Sequence, residues 1–132
     1  MTTPSDSELF VVDSSGWIEY FSDGPKTAVF SPYFEQYEEA LLLPSIIVFE
    51  VYKKLLREKA NTAAELFLSK AFSFADRVIT LDLQLAALAA QTSLDAKLPM
   101  ADAIIYASAR SRRAQLITSD AHFINLEGVV LV

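Results

Sequence analysis

Residues 9–21 read LFVVDSSGWIEYF, and this stretch decides the fold. Leu9 to Val12 form an unbroken apolar run, with a carboxylate at Asp13 and a Ser-Ser-Gly turn directly after it. A short run of that kind, apolar on both sides of its pleat, predicts a strand buried on both faces, the hallmark of a parallel sheet covered by helices. Ser14 or Ser15 is placed to cap a helix carrying Trp17, Ile18, Tyr20 and Phe21 and stopping near Asp23-Gly24-Pro25.

The same alternation of short apolar runs and helical periods continues outward. Residues 27–39, broken by Pro32, predict one or two helical pieces around Tyr33, Phe34 and Tyr37. Leu41 to Leu43 predict a second strand, and Ser45 then caps a helix through about Lys59 that is expected to lie largely inside. A helix over 61–74 with Ala64, Phe67, Leu68 and Ala71 on its buried stripe leads to a strand over 77–81. A helix from Asp82 to about Thr92, a loop through Asp95 and Pro99, and a helix over 101–113 come next. Strands over 115–118 and 129–132 finish the chain. The expected architecture is a three-layer α/β/α sandwich around a mostly parallel sheet, formed by one domain over residues 1–132. A bundle of four or five helices is the competing arrangement, since half the chain carries helical periodicity.

Composition narrows the function. The 132 residues include no Cys and one His, which excludes a disulfide scaffold, a thiol enzyme and an imidazole-rich zinc site. With 52% apolar residues there is material for a real core. The start, MTTPSDSEL, has neither the basic opening nor the apolar run of a secretory signal, and no stretch approaches a membrane span. A soluble, cytoplasmic protein with no membrane contact is the expectation. Eleven Lys plus Arg against 17 Asp plus Glu give a net charge of −6, which disfavours a broad basic nucleic-acid face but leaves room for a small basic rim. Neither GxGxxG nor GxxxxGK[ST] occurs, which disfavours dinucleotide and P-loop chemistry.

The acidic residues carry the functional signal. Asp13 and Asp120 each follow a strand, where ligands gather in open parallel sheets. Each has a plain structural alternative, an N-cap. Glu50 interrupts IIVFEVY, a stretch otherwise suited to core, and needs a cation, hydrogen-bond partners or an open cleft; a buried ion pair or a solvent-facing stripe would also account for it. Asp102 opens the ADAIIYASA helix, where capping would also explain it. Together, Asp13, Glu50, Asp102 and Asp120 are expected around one edge of the sheet. Carboxylates crowded there repel, and Mg²⁺ or Mn²⁺, which take oxygen ligands, would neutralise them. Such a site can hydrolyse a phosphodiester.

Around that core, Ser14 and Thr118 are candidate supporting hydroxyls for a carboxylate or phosphate, with a local turn or cap as the alternative. Arg110, Arg112 and Arg113 are candidate phosphate contacts, because eleven helical positions from Asp102 to Arg113 return to nearly the same direction after roughly 16 Å. A solvated helix face is the alternative for them. Lys53, Lys54 and Arg57 are weaker candidates of the same kind. His122 is read as a proton shuttle, a phosphate contact or part of a turn, and Trp17, Phe21, Tyr33, Phe34 and Tyr37 as core or interface.

The segments VDSSGWIEYF, LPSIIVFEVYKKL and LPMADAIIYASARSRRAQLITSD, with the HF that follows, resemble PIN-domain ribonucleases of the VapC type, the toxins of type II toxin-antitoxin systems. The resemblance spans Leu9 to Val132. It implies metal-binding and catalytic roles for Asp13, Glu50, Asp102 and Asp120; Thr118 matches the T-x-D signature and Ser14 is a lesser carry-over. It further implies Mg²⁺- or Mn²⁺-dependent cleavage of an RNA substrate, a homodimer, and inhibition by a cognate VapB-type antitoxin that inserts a peptide beside the acids. Many members carry a second Asp where this chain has His122 before Phe123, which implies one well-bound ion with another recruited by RNA. The alternatives are an inactive PIN-like interaction module and a nuclease acting on other nucleic acid.

Overall fold

A computed structural model describes residues 8–132; the polar start of the chain, residues 1–7, lies outside the described residues. The elements in chain order are β1 (Phe10–Val12), α1 (Ser14–Phe21), α2 (Thr27–Glu35), β2 (Leu41–Pro44), α3 (Ser45–Arg57) and α4 (Asn61–Phe72). Then follow β3 (Val78–Ile79), α5 (Leu83–Ala96), α6 (Met100–Ser111), β4 (Gln115–Thr118) and β5 (Val129–Leu131). The strands form one five-stranded sheet of order β3-β2-β1-β4-β5, and all its pairings are parallel.

That order explains the layers. From β1 the chain steps to β2 and β3 through α1 to α4; it then crosses back through α5 and α6 to β4 and steps the other way to β5. Right-handed crossovers in opposite directions place the two sets of helices on opposite faces. The direction changes between β1 and β4, whose register is Val11 against Leu116 and Val12 against Ile117. A crevice therefore opens beyond the carboxyl ends of these two strands.

Burial follows the sequence pattern closely at the centre. Every residue of β1 and β2 is buried, as expected for strands sandwiched between helical layers. Trp17 is fully buried, and its indole N–H donates to the Val12 carbonyl at 3.1 Å, so the ring enters the core with no orphan donor. Trp17 packs edge-on against Phe34 and Phe67, with ring centroids 4.7 and 5.6 Å away. Gly16 lets α1 lie this close to the sheet, since a Cβ there would overlap the Val12 and Phe30 side chains.

Several local expectations are corrected. Asp13, not Ser14 or Ser15, caps α1, because its carboxylate reaches the Ser14 N–H from an extended backbone. Ser45 is the first residue of α3 rather than its cap, and its hydroxyl accepts the Leu81 N–H. α3 is not largely inside: Ile47, Val51 and Leu55, four apart, form its buried stripe, whereas Phe49 and Leu56 face outward. The strand expected over 77–81 shrinks to Val78–Ile79. Residues Ala75–Arg77 form a 3₁₀ turn in which the Arg77 guanidinium bonds the Glu38 carboxylate and the Glu38 and Leu41 carbonyls. α4 ends at Phe72, two residues early. α5 runs to Ala96, so Asp95 is helical and not in a loop; left-handed Lys97 ends the helix.

Candidate active site

Asp13 stands at the carboxyl end of β1 and is almost fully buried, at 4% exposure. Its Oδ1 accepts the Ser14 N–H and its Oδ2 accepts the Thr118 hydroxyl, both at 2.8 Å. Thr118, the last residue of β4, in turn accepts the Asp120 N–H on the same oxygen at 2.9 Å. The Asp120 Oδ1 accepts the His122 N–H at 2.9 Å and caps the Ala121–Phe123 turn. One chain of hydrogen bonds thus ties the ends of β1 and β4 together. Asp13 and Asp120 are both N-caps as well as residues of the crevice.

Glu50 enters from α3. Burial raises its pKa first, the nearby Asp13 charge second and the Asp102 charge further, with the Ser14 side chain pulling it back down. Its Oε1 is buried and finds no hydrogen-bond partner. Among the described residues Glu50 makes no ion pair, so the buried-pair explanation does not apply. Asp102 sits in the first turn of α6, after Pro99 at the N-cap, and among the described residues its carboxylate makes no capping hydrogen bond. Its pKa is raised by burial and then by Asp120, against an opposing pull from His122. Asp13 is likewise raised, chiefly by burial, with Asp102 and Asp120 adding to it and the Thr118 and Ser14 hydrogen bonds opposing.

The Asp13 carboxylate lies within reach of the Asp102 and Asp120 charges, and Glu50 within reach of Asp13 and Asp102, whereas among the described residues only Asp102, Asp120 and His122 have ligand atoms close enough together for one ion. It also adds a group that sequence reasoning left outside the set. The His122 Nδ1 lies 3.2 Å from Asp102 Oδ2 and 3.1 Å from Asp120 Oδ1. Asp102, Asp120 and His122 each offer a ligand atom, all within 4.8 Å of one another. The signal in the sequence is the two-residue step from Asp120 to His122, which a 3₁₀ turn folds back onto the same side.

The arginines lie elsewhere. α6 ends at Ser111; Arg112 caps it, and Arg113 has left-handed backbone with φ of 55°. Arg113 is therefore not helical and does not share the direction of Asp102 that an unbroken helix would give it. These residues lead into the amino end of β4, the opposite edge of the sheet from Asp13. Arg110 pairs with Glu127 at 3.4 Å and lies against Gly128.

Carboxylates that raise one another's pKa in a half-buried crevice, one with an orphaned oxygen, are a donor set suited to a hard divalent cation. Lone burial of such charges would otherwise force protonation. The oxygen-rich set with one imidazole fits Mg²⁺ or Mn²⁺ and does not fit a thiolate-type metal.

Among curated proteins, none matches this sequence significantly. The fold is shared with solved structures. A chain of a toxin-antitoxin complex from Klebsiella pneumoniae is 24% identical, with TM-score 0.68 and coverage of 91% of this chain and 94% of that one. A chain of FitAB bound to a DNA fragment is 21% identical, with TM-score 0.75 and coverage of 93% and 94%. A chain of DNA-bound VapBC from Salmonella typhimurium is 20% identical, with TM-score 0.67 and coverage of 95% and 97%. The PIN domain family profile matches residues 10–129, nearly all of the described fold. With an all-parallel sheet whose switch point gathers acidic residues, this chain belongs to the PIN domain family.

Proposed function

We propose that this PIN domain is a divalent-metal-dependent endoribonuclease, the toxin of a toxin-antitoxin pair. The observation that carries the proposal is the run of mutually sensed charges from Glu50 to Asp13, from Asp13 to Asp102 and Asp120, and from Asp102 to Asp120, with a buried and partnerless oxygen on Glu50. Asp13, Glu50, Asp102 and Asp120 would hold the cation, Mg²⁺ or Mn²⁺. A cation held there supplies Lewis-acid polarisation of the scissile phosphate and acidifies water for attack on phosphorus.

The chain's own residues do the rest. The Ser14 N–H and the Thr118 hydroxyl fix the Asp13 carboxylate in one orientation, and the Thr118 oxygen fixes the Asp120 backbone in turn. Glu50 on α3 and Asp102 on α6 close the crevice from two helices, so RNA would lie across the carboxyl edge of β1 and β4. Arg110, Arg112 and Arg113 would meet backbone phosphates only several nucleotides from the cut, given their place at the far edge.

Partner binding is part of the same proposal. Solved structures of like fold include a toxin-antitoxin complex and a DNA-bound VapBC, which supports a VapB-type antitoxin here. Exposed apolar side chains on α3 and α4, including Phe49, Leu66 and Phe72, and on α5 and α6, including Leu94 and Met100, offer surface for an antitoxin and for a second copy in a homodimer. Action in the cytoplasm accompanies that role; no described helix is long and apolar enough to cross a membrane.

The test is transcript-end mapping after controlled expression of the wild type and Asp13→Asn without antitoxin, with parallel assays on RNA and DNA. New RNA ends in the wild type alone support the reading. Identical ends in both, or cleavage confined to DNA, reject it.

A further inference from the structure

Resting on the metal site proposed above, we infer that His122 is a direct nitrogen ligand to the ion and makes the site prefer Mn²⁺ over Mg²⁺. The ring stands outside the carboxylate set in sequence terms, yet its Nδ1 faces both Asp102 and Asp120, at 3.2 and 3.1 Å. An octahedral ion with bonds of about 2.1 Å sets neighbouring ligand atoms about 3 Å apart. The separations found between the imidazole nitrogen and the two carboxylate oxygens match adjacent corners around one ion as well as a ring N–H donated to the two carboxylates, and ligand atoms of all three residues lie within 4.8 Å of one another.

The backbone makes this arrangement reproducible. Asp120 caps the Ala121–Phe123 turn by accepting the His122 N–H at 2.9 Å, and Phe123 is fully buried. The residue between those anchors cannot drift far, and its side chain, 63% exposed, already holds Nδ1 against both carboxylates. A second feature points to the same crevice: Glu50 Oε1, buried without a partner, belongs to a carboxylate that the charges of Asp13 and Asp102 both reach.

The chemistry of selection is direct. Mg²⁺ favours oxygen donors and keeps its waters, whereas imidazole binds first-row transition ions more readily. Exchanging an oxygen ligand for nitrogen costs Mg²⁺ more than Mn²⁺, so His122 shifts the ratio of affinities.

The experiment uses the full chain, wild type and His122→Ala, without RNA. Binding of Mn²⁺ is followed by electron paramagnetic resonance, with Mg²⁺ as competitor, and the bound ion is probed for nitrogen hyperfine coupling. Thermal melting of the metal-free proteins checks that both are folded. We expect nitrogen coupling in the wild type and its loss in His122→Ala. The variant should bind Mn²⁺ at least about 10-fold more weakly. Its affinity for Mg²⁺ should move by less than about threefold.

Bound Mn²⁺ without nitrogen coupling in the wild type overturns the inference and leaves the carboxylate site standing. An unchanged Mn²⁺ to Mg²⁺ ratio does the same, as does tighter Mn²⁺ binding by the variant, which would make the ring a competitor of the ion. A wild type that binds neither ion overturns the carboxylate site as well.

Discussion

Thr118 and Asp13 are 105 positions apart in the chain and joined by a 2.8 Å hydrogen bond from hydroxyl to carboxylate. Because the same hydroxyl oxygen accepts the Asp120 N–H, one small side chain sets the spacing of two acids at the switch point of the sheet. Thr118→Val keeps the β-branched shape and removes both interactions. We expect a stability loss of about 1–3 kcal/mol in urea unfolding, from leaving a buried acceptor and donor unpaired. Cleavage should fall about 10- to 100-fold. Unchanged values for both would show that the hydroxyl fixes nothing.

The acids also predict an unusual dependence of stability on pH. Asp13, Glu50 and Asp102 are raised from ordinary values of 3.8, 4.5 and 3.8. A raised carboxylate pKa means that the folded state binds more protons than the unfolded state between the two pKa values, so its contribution to stability falls as pH rises through that window. Metal-free wild type should therefore lose stability relative to Asp13→Asn from the ordinary carboxylate range toward neutral pH. The reading is the difference in Tm between the two proteins across that range. A constant difference would place Asp13 in a solvated setting.

Divalent ions should reverse that loss. An ion that binds only the folded chain stabilises it by about 2.7 kcal/mol at a hundred times its dissociation constant. Mn²⁺ should raise the Tm of the wild type near neutral pH and have little effect on Asp102→Asn or Asp120→Asn. Equal shifts in all three proteins would locate the ion elsewhere.

Gly16 is a packing prediction independent of chemistry. In an ordinary helix Gly16→Ala would be favourable, but here the added Cβ meets Val12 and Phe30 where α1 rests on β1. Overpacking of this kind costs about 1–3 kcal/mol. The measurement is equilibrium unfolding of Gly16→Ala, and a gain in stability would mean that α1 can back away from the sheet.

The parallel sheet was legible because LFVV, LLL and QLIT are apolar on both sides of the pleat, a pattern that only sandwiched strands require. Strand order then put Asp13 and Asp120 at one crevice, since each follows its strand directly. What escaped the sequence depended on geometry it does not encode. Phe49 and Leu56 looked like core beside Ile47 and Val51, but α3 can press only one stripe against the protein. Arg113 lost its helical direction because Ser111 ends α6 and the next turn is left-handed at Arg113. His122 joined the acids through a three-residue turn whose fold-back no periodicity reveals. Ser14, Ser15 and Asp13 were all candidate caps in the sequence, and only the extended backbone at Asp13 decides between them.

The most direct measurement is cleavage of a defined single-stranded RNA by the purified wild type and Asp13→Asn, with Mn²⁺ present and after chelation. Circular dichroism confirms that both are folded. The account predicts metal-dependent cuts by the wild type, abolished by chelation and reduced at least about 100-fold in Asp13→Asn. Equal cleavage by the two proteins at saturating Mn²⁺, or cleavage that survives chelation, would contradict it.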